Sequence, residues 1–160
     1  MRIGLGYDLH RLVPDRDLII GGVTLPYHLG EEAHSDGDVL IHALIDALFG
    51  ALALGDIGTH FPPNDNKWKD ISSSILLEKC YTMIEEKGFE IVNIDSTVIL
   101  EKPKIKPHVP QITQKLSTLL KISPEQISIK GKTKEGVDSV GENKAIEAHV
   151  IVLLKRKNKP

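Results

Sequence analysis

The longest apolar run in the chain, Val39 to Leu54, is interrupted only by His42, Asp46 and Gly50. Apolar nearly all round, it predicts a buried helix over residues 38–54. Elsewhere apolar positions recur either every second residue or every third to fourth. Residues 2–10 alternate and read as a strand. Leu18 to Leu25 reads as a short hairpin turning at Gly21-Gly22, and 27–32 as a loop. Residues 71–87 predict a second helix with Ile75, Leu76, Cys80, Met83 and Ile84 on one face, stopped at Lys87-Gly88. Phe89 to Glu101 reads as a strand, 111–121 as an amphipathic helix, 127–133 as a strand and 145–154 as the last strand, leaving 155–160 as a tail. Residues 61–70, rich in Pro and Asn, read as a mobile loop and a candidate lid. Lys102 to Pro110 carries three prolines, which predict an extended, non-helical loop. The order is strand, hairpin, two helices, strand, helix, strand, strand. It fits an α+β fold, with one four-stranded sheet carrying helices on one face plus a small N-terminal hairpin. With 160 residues and no repeat, linker or low-complexity segment, residues 1–160 are expected to form a single domain.

Composition narrows the function classes. Hydrophobic residues are 41% and charged residues 26% of the chain, an ordinary globular balance. A formal net charge of -2 offers no basic footprint for nucleic acid. Asp46 lies inside the best apolar run and Asp56 just beyond it, which leaves too short an uncharged stretch, so no membrane span is expected. The opening Met1 to Gly6 starts a strand rather than a leader, so no signal peptide is expected. Cys80 is the only cysteine. No intrachain disulfide can form, a reducing compartment is expected, and helical spacing places Cys80 in the core. Aromatic residues are only 4%, so the core rests on Ile, Leu and Val, and association between copies would add to it.

Three side chains suggest a metal site. Asp8 and His10 are two apart in a strand and project from one face. His42 lies in the apolar helix, with Asp46 one turn along on the same side. It reads either as a metal ligand oriented by Asp46 or as a core histidine satisfied by that carboxylate. Asp-x-His alone occurs by chance on surface strands. Joined by His42, it makes three ligands that leave a fourth tetrahedral position open, the pattern of catalytic zinc. Ligand type equally allows Mn²⁺ or Co²⁺. His34 and Ser35 precede the helix, where Ser35 or Asp36 reads as a cap or the pair as an anion grip. Lys102, Lys104 and Lys106 make the 102–110 loop basic. It reads as a solvated turn or as a loop that holds a phosphate or nucleotide. No convincing nucleophile–base pair is present.

Taken together, these motifs resemble the 2-C-methyl-D-erythritol 2,4-cyclodiphosphate synthase family of the non-mevalonate route of isoprene biosynthesis. The residues that carry the resemblance are Gly6-Tyr-Asp-Leu-His10, Ile20-Gly-Gly-Val23, Ala33-His-Ser-Asp-Gly-Asp38, His42, Asp46, Ala53-Leu-Gly-Asp-Ile-Gly58, Phe61-Pro62, Asn93-Ile-Asp95, Lys102-Pro-Lys104, Pro107-His-Val-Pro110 and Lys132-Thr-Lys-Glu135. They run through nearly the whole chain. The resemblance implies a homotrimer of subunits with a ferredoxin-like sheet and active sites between neighbours. It implies a phosphorus–oxygen lyase that cyclises 4-diphosphocytidyl-2-C-methyl-D-erythritol 2-phosphate, a cytidine diphosphate ester, and releases CMP. Asp8, His10 and His42 then correspond to the zinc ligands, supported by Asp46, and Glu135 to the ligand of a second ion, Mg²⁺ or Mn²⁺. His34 and Thr133 correspond to the catalytic charge-stabilising pair, with Ser35 beside the phosphate. Asp56 and Gly58 correspond to contacts of the methylerythritol, and Asp65 to an acidic position of the lid. Leu100, Lys102, Pro103, Lys104, Ile105 and Lys106, with Gly131 and Lys132, correspond to a cytidine pocket supplied by the adjacent subunit.

Two departures qualify the resemblance. Pro63 stands where many members have Asp, which weakens any base drawn from the lid. Gly141-Glu-Asn-Lys-Ala145 is shorter than the common bacterial form and lacks its Arg, and Val137 to Glu142 looks like the plastid-type version. Localisation therefore stays open between a bacterial cytoplasm and a plastid-like organelle, and so does isoprenoid diphosphate binding on the trimer axis. The rival readings are a metal-dependent phosphohydrolase and a non-catalytic isoprenoid-binding trimer. The second needs a structural zinc, whose sites usually have four protein ligands and often Cys, and Cys80 is the sole candidate.

Overall fold

Two long antiparallel strands, β1 (Arg2–Val13) and β7 (Ala145–Arg156), form the middle of the fold in a computed structural model that describes residues 1–157. Between them in the chain come β2 (Leu18–Ile20), β3 (Val23–Leu25), β4 (Gly30–Glu32), α1 (Val39–Ala51), α2 (Ile57–His60), α3 (Ser73–Glu86), β5 (Phe89–Ile99), α4 (Val109–Leu120), β6 (Ile127–Lys132) and α5 (Asp138–Gly141). The sheet order is β4-β1-β7-β5-β6, and β2-β3 is a separate hairpin. Among the described strands only β5 and β6 pair in parallel. The α+β class and the hairpin match expectation, but the sheet is mixed and has five strands rather than four. The extra strand is β4, which pairs with the end of β1 from Arg11 to Val13. Gly-Glu-Glu shows no alternation, and β1 runs three residues past its expected end to offer the edge.

Glycine sets how α1 lies on the sheet. Gly4, Gly6, Asp8 and His10 share the helix-facing side of β1. A Cβ on Gly4 would sit 1.9 Å from the Ala47 carbonyl oxygen, and one on Gly6 1.7 Å from that of Ala43. The backbone of α1 therefore rests on β1 itself, and His42 comes down onto the strand that carries Asp8 and His10. The rest of α1 is buried among apolar residues from β7, α3 and β2.

The N-cap of α1 is Asp38, not Ser35 or Asp36. Its buried carboxylate accepts from the backbone N–H of Ile41 at 3.0 Å, and from those of Gly21 at 2.9 Å and Gly22 at 2.6 Å. One side chain thus caps a helix and pins the β2-β3 turn. Burial raises its pKa to about 6, against the opposing pull of those N–H groups.

Several expected loops are ordered differently. Residues 102–110 are not extended throughout: Lys106–His108 forms a 3-10 turn and α4 starts at Val109. Pro110 lies in its first turn, where the missing N–H has no helical partner to lose. Residues 61–70 hold a 3-10 turn at Asn66–Trp68, and Phe61 and Trp68 are buried. Lys155 and Arg156 of the expected tail continue β7, while 158–160 lie outside the described residues. Among the described residues no helix is long and apolar enough to cross a membrane.

Among the described residues no helix covers the other face of the sheet. Along it Ile3 is 71% and Leu5 67% exposed, flanked by Tyr7, Leu9 and Ile151.

Candidate active site

Asp8, His10 and His42 meet beneath the N-terminal half of α1. One ligand-type atom from each lies within 4.8 Å of the others. Asp8 Oδ2 is 3.1 Å from His10 Nε2 and 3.1 Å from His42 Nδ1, and the two rings stand edge to face. Each ring uses its other nitrogen elsewhere. His10 Nδ1 donates to the Gly37 carbonyl at 2.7 Å. A carbonyl only accepts, so the His10 proton is on Nδ1 and the Nε2 lone pair faces Asp8. His42 Nε2 lies 2.9 Å from Ser73 Oγ and 3.1 Å from Ser35 Oγ. A carboxylate oxygen and two imidazole nitrogens, held from behind by hydrogen bonds, form a donor set suited to a borderline divalent cation.

A buried acid lies behind this donor set. Glu31 from β4 is fully buried. Its Oε1 accepts from Val39 N–H at 3.0 Å and lies 3.9 Å from His10 Nδ1. Burial raises its pKa to about 8, opposed chiefly by His10. Burial alone would lower the pKa of His10, but Glu31 and Asp8 outweigh it and the net shift is upward.

A cavity of about 300 Å³ adjoins His10 and His42. His34 and Ser35 line it on one side. Ile57, Gly58, Phe61, Pro63, Trp68 and Leu76 give it a mainly apolar wall. Phe61 and Trp68 meet edge to face with centroids 5.1 Å apart. The 61–70 segment is tied down at its far end, where Asp70 N–H donates to the His34 carbonyl at 2.9 Å.

A second cavity of about 750 Å³ is formed by Leu100, Pro103, Lys104, Ile105 and Lys106 with Gly131, Lys132 and Thr133. Gly131 keeps it open, since a Cβ there would lie 2.2 Å from Ile105 Cγ2.

A family model named YgbB family matches residues 1–155. The chain belongs to the YgbB family. A protein of Brachyspira hyodysenteriae named 2-C-methyl-D-erythritol 2,4-cyclodiphosphate synthase is 53% identical over 98% of this chain and 99% of its own length. The chloroplastic 2-C-methyl-D-erythritol 2,4-cyclodiphosphate synthase of Arabidopsis thaliana is 51% identical over 98% of this chain and 68% of its own. A solved structure described as IspF of Plasmodium falciparum in complex with CDP superposes with a TM-score of 0.87 at 40% identity, covering 98% of this chain and 97% of that one.

In this YgbB-family chain the residues expected at the site fall into two groups. Asp8, His10, His42, His34, Ser35 and Gly58 gather around the smaller cavity. Leu100, Lys102 to Lys106, Gly131, Lys132, Thr133 and Glu135 gather at or beside the larger one. The register Asp8↔Ala148↔Val98↔Gly131 places the two groups three strands apart, roughly 14 Å at normal strand spacing. Buried Ala148 and Val98 fill the space between. Thr133 Oγ1 donates to Glu135 Oε1 at 3.0 Å, and neither residue reaches Asp8, His10 or His42.

Local hydrogen bonds hold several of these residues. Asp46 is not the hydrogen-bond partner of His42. Its Oδ1 accepts from Ile57 N–H at 2.7 Å and so positions α2, while Ser73 and Ser35 hold His42. His34 and Ser35 lie upstream of the cap rather than at the helix start, and Ser35 Oγ is engaged with His42 and Gly37 N–H. Asp56 and Asp65 cap short turns, accepting from Thr59 and Lys67 N–H. The Thr59 hydrogen bonds lower the pKa of Asp56. Ser73 was missed because a serine at a helix start reads as a cap. Glu31 was missed because it lies in a segment that reads as loop.

Proposed function

We propose that this chain is a 2-C-methyl-D-erythritol 2,4-cyclodiphosphate synthase, a CMP-releasing phosphorus–oxygen lyase of isoprene biosynthesis acting as one domain over 1–160. The observation that carries this reading is the convergence of His10 Nε2 and His42 Nδ1 on Asp8 Oδ2 at the mouth of an apolar-walled cavity. Asp8, His10 and His42 would hold Zn²⁺, Mn²⁺ or Co²⁺, which would supply Lewis-acid polarisation, and Glu135 would hold Mg²⁺ or Mn²⁺, which would add charge neutralisation.

The chain's own residues supply position. The reaction is intramolecular: the 2-phosphate oxygen attacks the β-phosphorus, the bond to the α-phosphate oxygen breaks, and that oxygen leaves on CMP. No side chain need act as nucleophile, so orientation and charge stabilisation dominate. His34, on the wall of the smaller cavity, and Thr133 donate to the phosphate oxygens. Ile57, Phe61, Trp68 and Leu76 exclude water from the methylerythritol, which favours cyclisation over hydrolysis. The larger cavity takes the cytidine, with its Lys side chains near the diphosphate. Since the two groups lie three strands apart in one chain, the cytidine pocket serves the metal group of a neighbouring copy in a homotrimer. The bare apolar face of β1 and β7 supports association between copies.

The test is His42→Ala. The variant is expected to keep its circular dichroism and melting behaviour, lose bound zinc, and lose CMP release by a factor of about 10³ or more. Phosphorus NMR of the wild-type reaction should show a cyclic diphosphate. A free monophosphate in its place would sink the cyclase reading in favour of hydrolysis.

A further inference from the structure

His42 can carry its neutral proton on either nitrogen, and the two choices have opposite consequences. With the proton on Nδ1, the ring donates to Asp8 Oδ2 across 3.1 Å and blocks the site. With the proton on Nε2, the Nδ1 lone pair is free for a cation. Without a metal, Asp8 by itself favours the blocking form.

The hydrogen bonds behind the ring decide otherwise. Ser73, the first residue of α3, is fully buried. Its Oγ donates to Asp36 Oδ1, and its backbone N–H donates to Asp36 Oδ2 at 3.0 Å. A carboxylate has no proton to give, so the one Ser73 hydroxyl hydrogen is committed to Asp36. Ser73 Oγ then faces His42 Nε2 at 2.9 Å only as an acceptor, and Nε2 must donate. Ser35 Oγ, 3.1 Å from the same nitrogen, has a rotatable hydrogen and fixes nothing by itself.

We propose that Asp36 and Ser73 are positioning residues that hold His42 as the Nε2–H tautomer, presenting the Nδ1 lone pair beside Asp8. Asp36 also accepts from Asp38 N–H at 3.2 Å and caps α3 at Ser73, whereas the formal N-cap Ser72 makes no side-chain bond. The same carboxylate therefore ties the starts of α1 and α3 to the orientation of the ring. The consequence for metal binding rests on the metal reading of the proposed function; the tautomer assignment does not.

The experiment uses the full chain, chelator-treated, with ring nitrogens observed by long-range ¹H–¹⁵N correlation at a pH where His42 is neutral. The wild type should show His42 as Nε2–H. Ser73→Ala and Asp36→Asn should move it toward Nδ1–H, and Ser35→Ala should not. Titration with Co²⁺ should give an affinity about 10- to 100-fold weaker for Ser73→Ala, in the range seen when such supporting groups are lost. Comparable amide spectra of the variants establish that they fold, and Asp36→Asn tests the same link without touching Ser73. A wild-type Nδ1–H signal, or a tautomer that follows Ser35 rather than Ser73, overturns the proposal. An Nε2–H signal with no Co²⁺ binding upholds the hydrogen-bond assignment and overturns the metal reading.

Discussion

At the residue scale, buried carboxylates hold the site together and make it sensitive to pH. Asp38 is the clearest case, because its three N–H partners come from two elements and water does not reach it. Its pKa, raised by burial to about 6, means that the folded chain holds this proton more tightly than the unfolded chain does. The stabilisation from that proton is complete below about pH 4 and is lost as the pH rises through 6, at no more than about 1.4 kcal/mol per pH unit. Asp38→Asn removes the titration. Urea unfolding of the chelator-treated chain at several pH values should show the wild type losing stability relative to Asp38→Asn between pH 4 and 6.5. A constant difference across that range would mean that Asp38 is ionised throughout. At this scale the sequence was informative wherever spacing carries direction. Asp8 and His10 are two apart in a strand, and His42 is a lone imidazole in an apolar helix. It was silent on the pairing of Ser73 with Asp36, which are far apart in the chain and meet only because α3 docks beside α1.

At the scale of elements, the lid shows where sequence reading stops. Residues 61–70 have loop composition, yet Trp68 and Phe61 pack into the wall of the smaller cavity and the segment ends on the His34 carbonyl. One buried aromatic outweighs the turn-forming residues around it, because burying a large ring contributes far more than a Pro or Asn costs. Trp68→Ala should therefore weaken the attachment of the whole segment. The expected loss is about 3 kcal/mol if the segment unfolds only with the rest of the chain, and less if it opens locally. Hydrogen exchange separates the two, since the Asp70 and Trp68 amides should exchange faster in the variant while those of β7 stay protected. Equal loss of protection in β7 would show that the lid is part of the global core. The missed strand β4 has the same origin in a different guise. Its three residues have no pattern of their own and are ordered by the edge of β1 and by Glu31 reaching His10 and Val39.

At the scale of the molecule, the hydrophobic pattern was enough to predict an α+β sheet with helices on one face, since α1 is a long continuous apolar run and α3, β1 and β5 show their periods. It did not reveal that the candidate site residues are divided between two cavities. The register that separates Asp8 from Gly131 by two buried strands depends on strand order, which no local pattern encodes. That division makes a quantitative prediction. His42→Ala removes one member of the candidate metal group but leaves the larger cavity intact. Gly131→Val fills the pocket, where even a Cβ would press on Ile105, but leaves the metal group intact. Each variant alone should be inactive. If each site joins the metal group of one copy to the pocket of the next around a closed trimer, subunits mixed at random and reassembled give a working site whenever a Gly131→Val copy precedes a His42→Ala copy. With equal amounts, that occurs at about one site in four, so CMP release should recover to roughly a quarter of the wild-type value. Recovery should also disappear when Leu5→Asp on the bare face prevents association, which sedimentation can confirm. If both halves of the site belonged to the same copy, mixing would restore nothing.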